Sequence, residues 1–547
     1  MFFAFLILMT SVVEIPPGTQ LYGLTVFSGT KIDTVNMEFI SRIPNGGMSG
    51  DLLVARCWGD YIEHIGVLQG MSGSPVFYQE QIIGAMSIAW SDNREPIVGI
   101  TPLEDMERDV RFGLNSFTSD INSPSLSPQW REFQVGISVS GLASPTVNYL
   151  SSNLQSGYQV LEGGTGEGEH YPLQPGGVLC IGLVTGDANV AAFGTITKVN
   201  QDTVWGFGHA FTSEGSCSYP LCGGKVNLVM PLRTIGFKVA SPGEVVGTIT
   251  SDVPTGVAGV IGPIPQMINL KVQINNDISF REYNYQICRS KLFTPVMLAS
   301  MALNSLIKSG LYSYQSFFQV NTEFYRGDQL EISMNNAYNS LTTYQGEWLN
   351  TLQIVTTVLL ENEFQTSFPD SVKLVFDVFP EIRQLTIENA FLSSNTVRGG
   401  KEVEVRVLFS DYQSAGDVVD KYSITIPANI TSDTLGLLIS DAANLSAFNE
   451  IRNNHWGEFR EYRQLVNLIN NLPSNNSLYL ILYQKQVGMD LGGEEISSFP
   501  LSFLGTIKYS GFNTSPVFTN YRILDYQKID YQQVIRGVIV KRISVEG

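Results

Sequence analysis

Along this chain the apolar positions recur mostly at a period of two. They fall in short runs bounded by Gly, Pro, Asn or Ser, the pattern of half-buried strands. Leu24–Phe27, Val35–Ile40 and Leu52–Ala55 come first; Pro75–Tyr78 and Ile82–Ala89 flank a short turn, and Ile97–Ile100 follows. A short helix is expected over Pro102–Arg111. The β pattern resumes from Gly177 to about Ile274, where Ala191–Thr197 leads toward a strand over Val204–Phe211. One helix signal is strong: Thr294 as N-cap, Pro295 at the first helical position, an apolar run over Val296–Lys308 and a stop at Gly310. Further on, Lys401–Val407 alternates strictly and Tyr422–Pro427 repeats the alternation, so a β-sandwich unit is expected. Phe459, Tyr462, Val466 and Ile469 form one helical stripe before a strand at Leu478–Tyr483. Many short strands at close spacing predict a mainly β protein of barrels or sandwiches with a few helices.

Length multiplies these units, because 547 residues exceed what one core organises. Residues 116–135 read as a linker, on the Ser, Asn and Pro content of 116–130. The expected division is 16–285 (halves at 16–115 and 175–285), a connecting helix at 286–312, a β-rich module at 313–395 and a β-sandwich-like module at 396–547. With 43% hydrophobic and 15% charged residues the chain is globular. A net charge of −18 argues against nucleic acid or an anionic membrane surface as the main partner. Five cysteines without a CxxC pair make neither a disulfide framework nor a zinc cluster; Cys217 and Cys222 either close a small loop or are free. Phe2–Met9 is too short to span a bilayer but matches a signal-peptide core. Residues 1–15 are therefore read as an export signal, with a buried first strand as the alternative. No later segment reaches transmembrane length, so no integral span is expected and the protein is placed in the periplasm, the cell envelope or outside the cell.

The chemistry concentrates in Gly70-Met71-Ser72-Gly73-Ser74-Pro75, just ahead of a strand. Small residues around Ser72 allow a tight bend that presents its hydroxyl and aims the amides of Gly70, Met71 and Ser72 at one point, as an oxyanion hole requires. A Gly/Ser/Pro turn between two strands is the competing reading. A general base needs an imidazole within reach. Of four histidines, His209 sits among glycine-punctuated aromatics at the end of a predicted strand, His170 in a polar loop, His455 after two asparagines, and His64 close before Ser72.

Taken together, the Ser72 segment with Ile82-Ile83-Gly84-Ala85, and Phe207-Gly208-His209 with Gly194-Thr195-Ile196-Thr197 upstream, resemble the SpoIVB (stage IV sporulation protein B) serine peptidase family. Pro242-Gly243-Glu244 and Gly256–Gly262 extend the resemblance, which covers roughly residues 17–270. It implies a trypsin-like, two-lobed β-barrel peptidase domain in which Ser72 attacks a peptide carbonyl and His209 takes its proton. Two departures stand out. The serine segment precedes the histidine segment here, a permuted order. The family's aspartate position falls on Cys57, so Asp60 becomes the candidate that orients His209, with Asp187 behind it. The family's PDZ module is not evident.

The function expected on this resemblance is an exported serine endopeptidase acting on protein or peptide substrates, with no metal or organic cofactor. A catalytically inactive, peptidase-like envelope or surface scaffold is the alternative. A carbohydrate-binding β-sandwich, on the aromatic-rich second half, is a third reading.

Overall fold

Six strands at the head of the chain pair antiparallel in a ring: β1 (Gln20–Ser28), β2 (Lys31–Ile43), β3 (Leu52–Trp58), β4 (Pro75–Tyr78), β5 (Gln81–Ala89) and β6 (Ile97–Pro102). Their order is β1–β2–β3–β6–β5–β4, and β4 returns to β1, so the sheet closes on itself. Closure removes the exposed edges that an open sheet leaves to aggregate. The alternation seen in the sequence is spent on filling this ring: Val35, Met37 and Phe39 of β2 turn inward against Leu53, Ala55, Val76, Met86 and Ile100. Helix α1 (Asp60–Ile65) lies between β3 and β4, and helix α2 (Leu103–Phe112) follows β6.

These and the following elements belong to a computed structural model, which describes residues 14–546 apart from 91–92, 113–130, 133–134, 156, 165–167, 233–235, 277, 311–314, 341–345, 366, 415, 431, 453–460, 492–493 and 497–516. The expected signal core, most of the expected linker, His455 and Phe459 lie outside the described residues.

After a two-residue strand β7 (Arg131–Glu132) on β5, the chain forms a parallel crossover of β8 (Val135–Ser140), helix α3 (Ser144–Asn153) and β9 (Tyr158–Glu162). A second ring comes next, built of β10 (Val178–Gly186), β11 (Asn189–Asn200), β12 (Thr203–Gly206), β13 (Gly215–Met230), β14 (Phe237–Val253) and β15 (Gly256–Ile261). It runs β10–β11–β12–β15–β14–β13 and closes from β13 to β10, again antiparallel throughout. Numbered within each ring, the order is one-two-three-six-five-four in both. The strand expected over Val204–Phe211 ends at Gly206. Phe207 (φ 67°) and Gly208 (φ 69°) are left-handed there and leave the pleat.

The chain divides into two compact units, Met1–Met267 with Tyr285–Met297, and Ile268–Asn284 with Leu298–Gly547. Both rings belong to the first. Ile268–Asn284 lies inside the expected 16–285 stretch but is grouped with the second unit; its strand β16 (Ile268–Asn275) pairs in parallel with a strand a hundred residues later, Ser371–Phe379. Helix α4 (Thr294–Ser309) occupies the span its cap and stop signals predict, and left-handed Gly310 ends it.

β17 (Phe280–Ile287) follows β16 in the chain; in the second unit, β18 (Ser316–Arg326) has β19 (Gln329–Ser340) on one side and β20 (Ser371–Phe379) on the other. Helix α5 (Glu347–Leu360) comes between β19 and β20 in the chain. The remaining strands make two sheets. One holds Asp417–Thr425, Glu402–Asp411, Gln384–Leu392 and Val534–Arg536; the other is centred on Val538–Glu546, Thr434–Ser440 and Ser477–Leu491. Val403, Val405, Val407 and Phe409 of the first share one apolar core with Leu435, Leu437, Leu480 and Leu482 of the second. That is the sandwich expected from the alternation, begun earlier than residue 396 because Gln384–Leu392 belongs to it. The striped helix forms over Tyr462–Asn470, with Val466 and Ile469 buried.

Candidate active site

Ser72 lies in the connection between the third and fourth strands of the first ring, and His209 in the connection between the third and fourth strands of the second. Both side chains are nearly shielded from solvent, with 4% exposure at Ser72 and 1% at His209.

The bend around Ser72 depends on two glycines. Gly70 (φ 87°) and Gly73 (φ 88°) both take the left-handed conformation that L side chains avoid. Gly73 is also a point of close approach. A Cβ there would stand 2.1 Å from the Thr195 carbonyl oxygen and 2.3 Å from the Phe207 nitrogen, both on the histidine-bearing ring. The bend is closed by the Ser74 N–H donating to Met71 O (2.9 Å) and fixed to β5 by the Gly73 N–H donating to Met86 O (2.7 Å).

The second ring holds this bend directly. The Thr195 N–H donates to Ser72 O (2.7 Å), its hydroxyl to Gly70 O (2.9 Å), and the Thr197 hydroxyl to Gly73 O (2.7 Å). Three carbonyls of the serine segment, those of Gly70, Ser72 and Gly73, therefore meet donors from Gly194-Thr195-Ile196-Thr197, the strand singled out beside His209. In the other direction, Thr101 Oγ1 of β6 lies 2.8 Å from Ser87 Oγ and donates to Gly208 O at 2.8 Å. Each such bond contributes about 1 kcal/mol net, and loss of one partner leaves a buried group that costs more.

Of the three amides expected to form an oxyanion hole, that of Met71 donates to Leu68 O at 3.1 Å. Among the described residues, no backbone carbonyl takes the amides of Gly70 or Ser72.

His209 Nδ1 lies 2.7 Å from the Ala210 carbonyl oxygen. A carbonyl only accepts, so this contact puts the proton on Nδ1 and leaves Nε2 as the basic nitrogen. Phe207, fully buried and left-handed, packs beside the imidazole with ring centroids 6.0 Å apart. A bulky residue in that conformation stores roughly 1–3 kcal/mol of strain.

The carboxylates are placed differently from expectation. Asp60 opens α1 and is exposed, on the first ring. Asp187 is exposed at the turn between β10 and β11. Cys57, where the resemblance would place an aspartate, is buried in β3, and burial pushes its thiol up to about 12. The carboxylate bound to the histidine loop is Asp252, near the end of β14 and 1% exposed. Its oxygens accept the Phe211 N–H (2.7 Å), the Thr212 N–H (2.6 Å) and the Thr212 hydroxyl (2.6 Å). Burial raises its pKa, and those donors oppose the rise. Sequence reasoning passed over Asp252 because Thr248–Asp252 looks like the wet side of a strand.

Lys238 is a second buried ionisable group at this junction. Its backbone N–H donates to Gln69 O (3.1 Å), beside the serine bend, and its Nζ donates to Thr25 Oγ1 of β1 (2.6 Å). Burial lowers its pKa to about 7, while Asp33 pulls the other way.

Among the described residues no cluster of His, Cys, Asp or Glu could hold a metal ion, all five cysteines are unbridged, and no helix is long and apolar enough to cross a membrane. Comparison of the chain with family models, curated proteins and solved structures finds no match.

Proposed function

We propose that the first unit is a serine endopeptidase of the SpoIVB type, with Ser72 as nucleophile and His209 as general base. The observation that carries the proposal is the clamp. Two segments whose residues suggested a nucleophile and a base, over a hundred positions apart, are bonded to one another through Thr195 and Thr197. The pair of six-stranded rings of identical strand order is consistent with the two-lobed, trypsin-like barrel that the resemblance implies, with chain order exchanged; roles and geometry, not order, define such a site.

In the proposed reaction the His209 Nε2 takes the Ser72 hydroxyl proton as its oxygen attacks a peptide carbonyl. The Gly70 and Ser72 amides receive the developing oxyanion, and Nε2 returns the proton to the departing amine. The Ala210 carbonyl holds the tautomer, and Asp252 is a positioning residue that fixes the loop after His209. Asp60 has no step in this scheme. Substrate would be an exported protein or peptide, and no cofactor enters.

A second reading is favoured by the near-complete burial of both side chains: the rings persist as a binding scaffold with no turnover. A fluorophosphonate probe separates the two. Labelling of the wild type that disappears in Ser72→Ala and His209→Ala supports the peptidase. Absence of labelling, or labelling that survives Ser72→Ala, removes Ser72 as a nucleophile.

A further inference from the structure

The pairing that closes the second ring, β13 on β10, rests on four register pairs: Val178 with Gly224, Leu179 with Gly223, Cys180 with Cys222 and Ile181 with Leu221. Two of the five cysteines therefore stand directly opposite one another in the seam. The corresponding seam of the first ring, β4 on β1, carries a different cross-strand pair, Tyr22 and Phe77, with rings stacked at 4.9 Å.

Direct partners on antiparallel strands share one face, with Cα atoms about 4.5–5.5 Å apart. A disulfide spans Cα separations of about 4.4–6.8 Å, so this pair can be bridged without moving the backbone. Both side chains join one buried cluster with Val178, Phe193, Val226 and Ala240. There is also room to rearrange. A Cβ at Gly224 would stand 2.7 Å from Cys180 Sγ, so the glycine leaves that sulfur its space, and Cys222 borders a cavity of about 170 Å³.

The other cysteines are placed differently. Cys217 and Cys222 lie on the same strand five positions apart, roughly 15 Å at the rise of an extended chain, which no disulfide spans. Among the described residues no other two cysteines are register partners.

We propose that Cys180 and Cys222 form a disulfide when the chain matures in an oxidising compartment, closing the second ring covalently. Both thiols are free in this structure, which therefore describes the reduced form. The bond encloses a loop of about forty residues that carries β11, β12 and His209. The inference does not depend on the reading of Ser72 and His209.

The acceptor is a small disulfide such as oxidised glutathione. One protein thiolate attacks it, forms a mixed disulfide and expels one glutathione thiolate. The second protein thiolate attacks the protein sulfur of that mixed disulfide and expels the other. Two electrons pass from the protein to glutathione, and the two protons end on its thiols. This exchange belongs to the folding chain. Once the seam has closed, burial raises the Cys180 thiol well above its usual value and pushes that of Cys222 up to about 12. Thiolate is then scarce, and the folded ring keeps the form in which it closed.

The test produces the full chain twice, exported to a bacterial periplasm behind a fused signal peptide and retained in a reducing cytosol. Free thiols are alkylated before proteolysis without reductant and mass spectrometry. The periplasmic protein should yield the Cys180 and Cys222 peptides joined, lighter by two hydrogens than the free pair; the cytosolic protein should yield them separate. The bridged form should unfold at a urea concentration higher by roughly 1 M, a difference removed by dithiothreitol and by Cys222→Ala but kept by Cys217→Ala. Periplasmic protein in which Cys180 and Cys222 are both alkylated overturns the inference. So does a bond from either of them to Cys57, Cys217 or Cys288, or a bridged form no more resistant to urea than the reduced one.

Discussion

The two rings of the first unit share a strand order and differ in what they do with it. Each interrupts its third-to-fourth connection with left-handed backbone: at Gly70 and Gly73 in the first ring, at Phe207 and Gly208 in the second. In the first, the left-handed positions are glycines and the bend is free of intrinsic strain. In the second, a phenylalanine is forced into that conformation beside His209. The supporting charges differ too. β14 of the second ring carries Asp252, which fastens the histidine loop, whereas β5, the corresponding strand of the first ring, has no acidic residue. One barrel plan thus yields a loop shaped by small residues and a loop held by a buried carboxylate. The comparison teaches that the topology supplies two equivalent positions, and local residues decide which chemistry each receives.

The comparison breaks most readily at Gly73. Gly73→Ala adds a Cβ into the Thr195 carbonyl and the Phe207 nitrogen at a left-handed φ. It should destabilise the first unit by on the order of 4 kcal/mol, measured by urea unfolding; a variant as stable as wild type would mean the rings are not in contact there.

Lys238 joins the rings through Thr25 and gives the next largest effect. Its amine titrates near 7 when folded and at 10.5 when free. Between those values the unfolded chain binds more protons, so stability rises with pH, by at most roughly 1.4 kcal/mol per pH unit. Below about 7 the penalty for the buried charge is fully present. Lys238→Met should flatten the slope of stability against pH over this window. An unchanged slope in the variant would show that other groups set it.

Asp252→Asn tests the histidine side alone. A carboxamide cannot accept from both sides, so one loop donor is left unmet at about 1–3 kcal/mol, while Asp60→Asn at an exposed position should stay within about 0.5 kcal/mol. If the site turns over substrate, fluorophosphonate labelling should slow in the first variant and hold in the second. The reverse pattern would return the orienting role to Asp60. Thr197→Val is the mildest probe. It removes a single hydroxyl from Gly73 O and should cost about 1 kcal/mol in thermal or urea unfolding.

Much of this was legible in the residues. The apolar runs located all six strands of the first ring, two of the second and three of the sandwich, and caps located α4 within a residue or so. What escaped was non-local. Nothing in Pro75–Tyr78 announces that it pairs with β1 as well as β5, and ring closure depends on that pairing. The parallel partner that draws β16 into the second unit lies a hundred residues away. Asp60–Ile65 carries too little helical period in six residues to announce α1, and α3 and α5 lie in stretches given no helix. At the site, the Ser72 and His209 segments were visible as small-residue punctuation, and Thr195 and Thr197 as neighbours of a motif. Asp252 was hidden because its importance lies in what its oxygens touch.

The clamp also has a consequence for how the protein is made. The Gly70 carbonyl waits for a hydroxyl 125 residues downstream. At ribosomal rates of roughly 5–20 residues per second, the serine bend leaves the ribosome on the order of ten seconds before its partner strand exists. During that interval the Gly70, Ser72 and Gly73 carbonyls lack the donors that Thr195 and Thr197 will bring. The clamp on the Ser72 bend is therefore a late acquisition in biosynthesis, and a nascent or truncated chain ending before residue 195 should lack it.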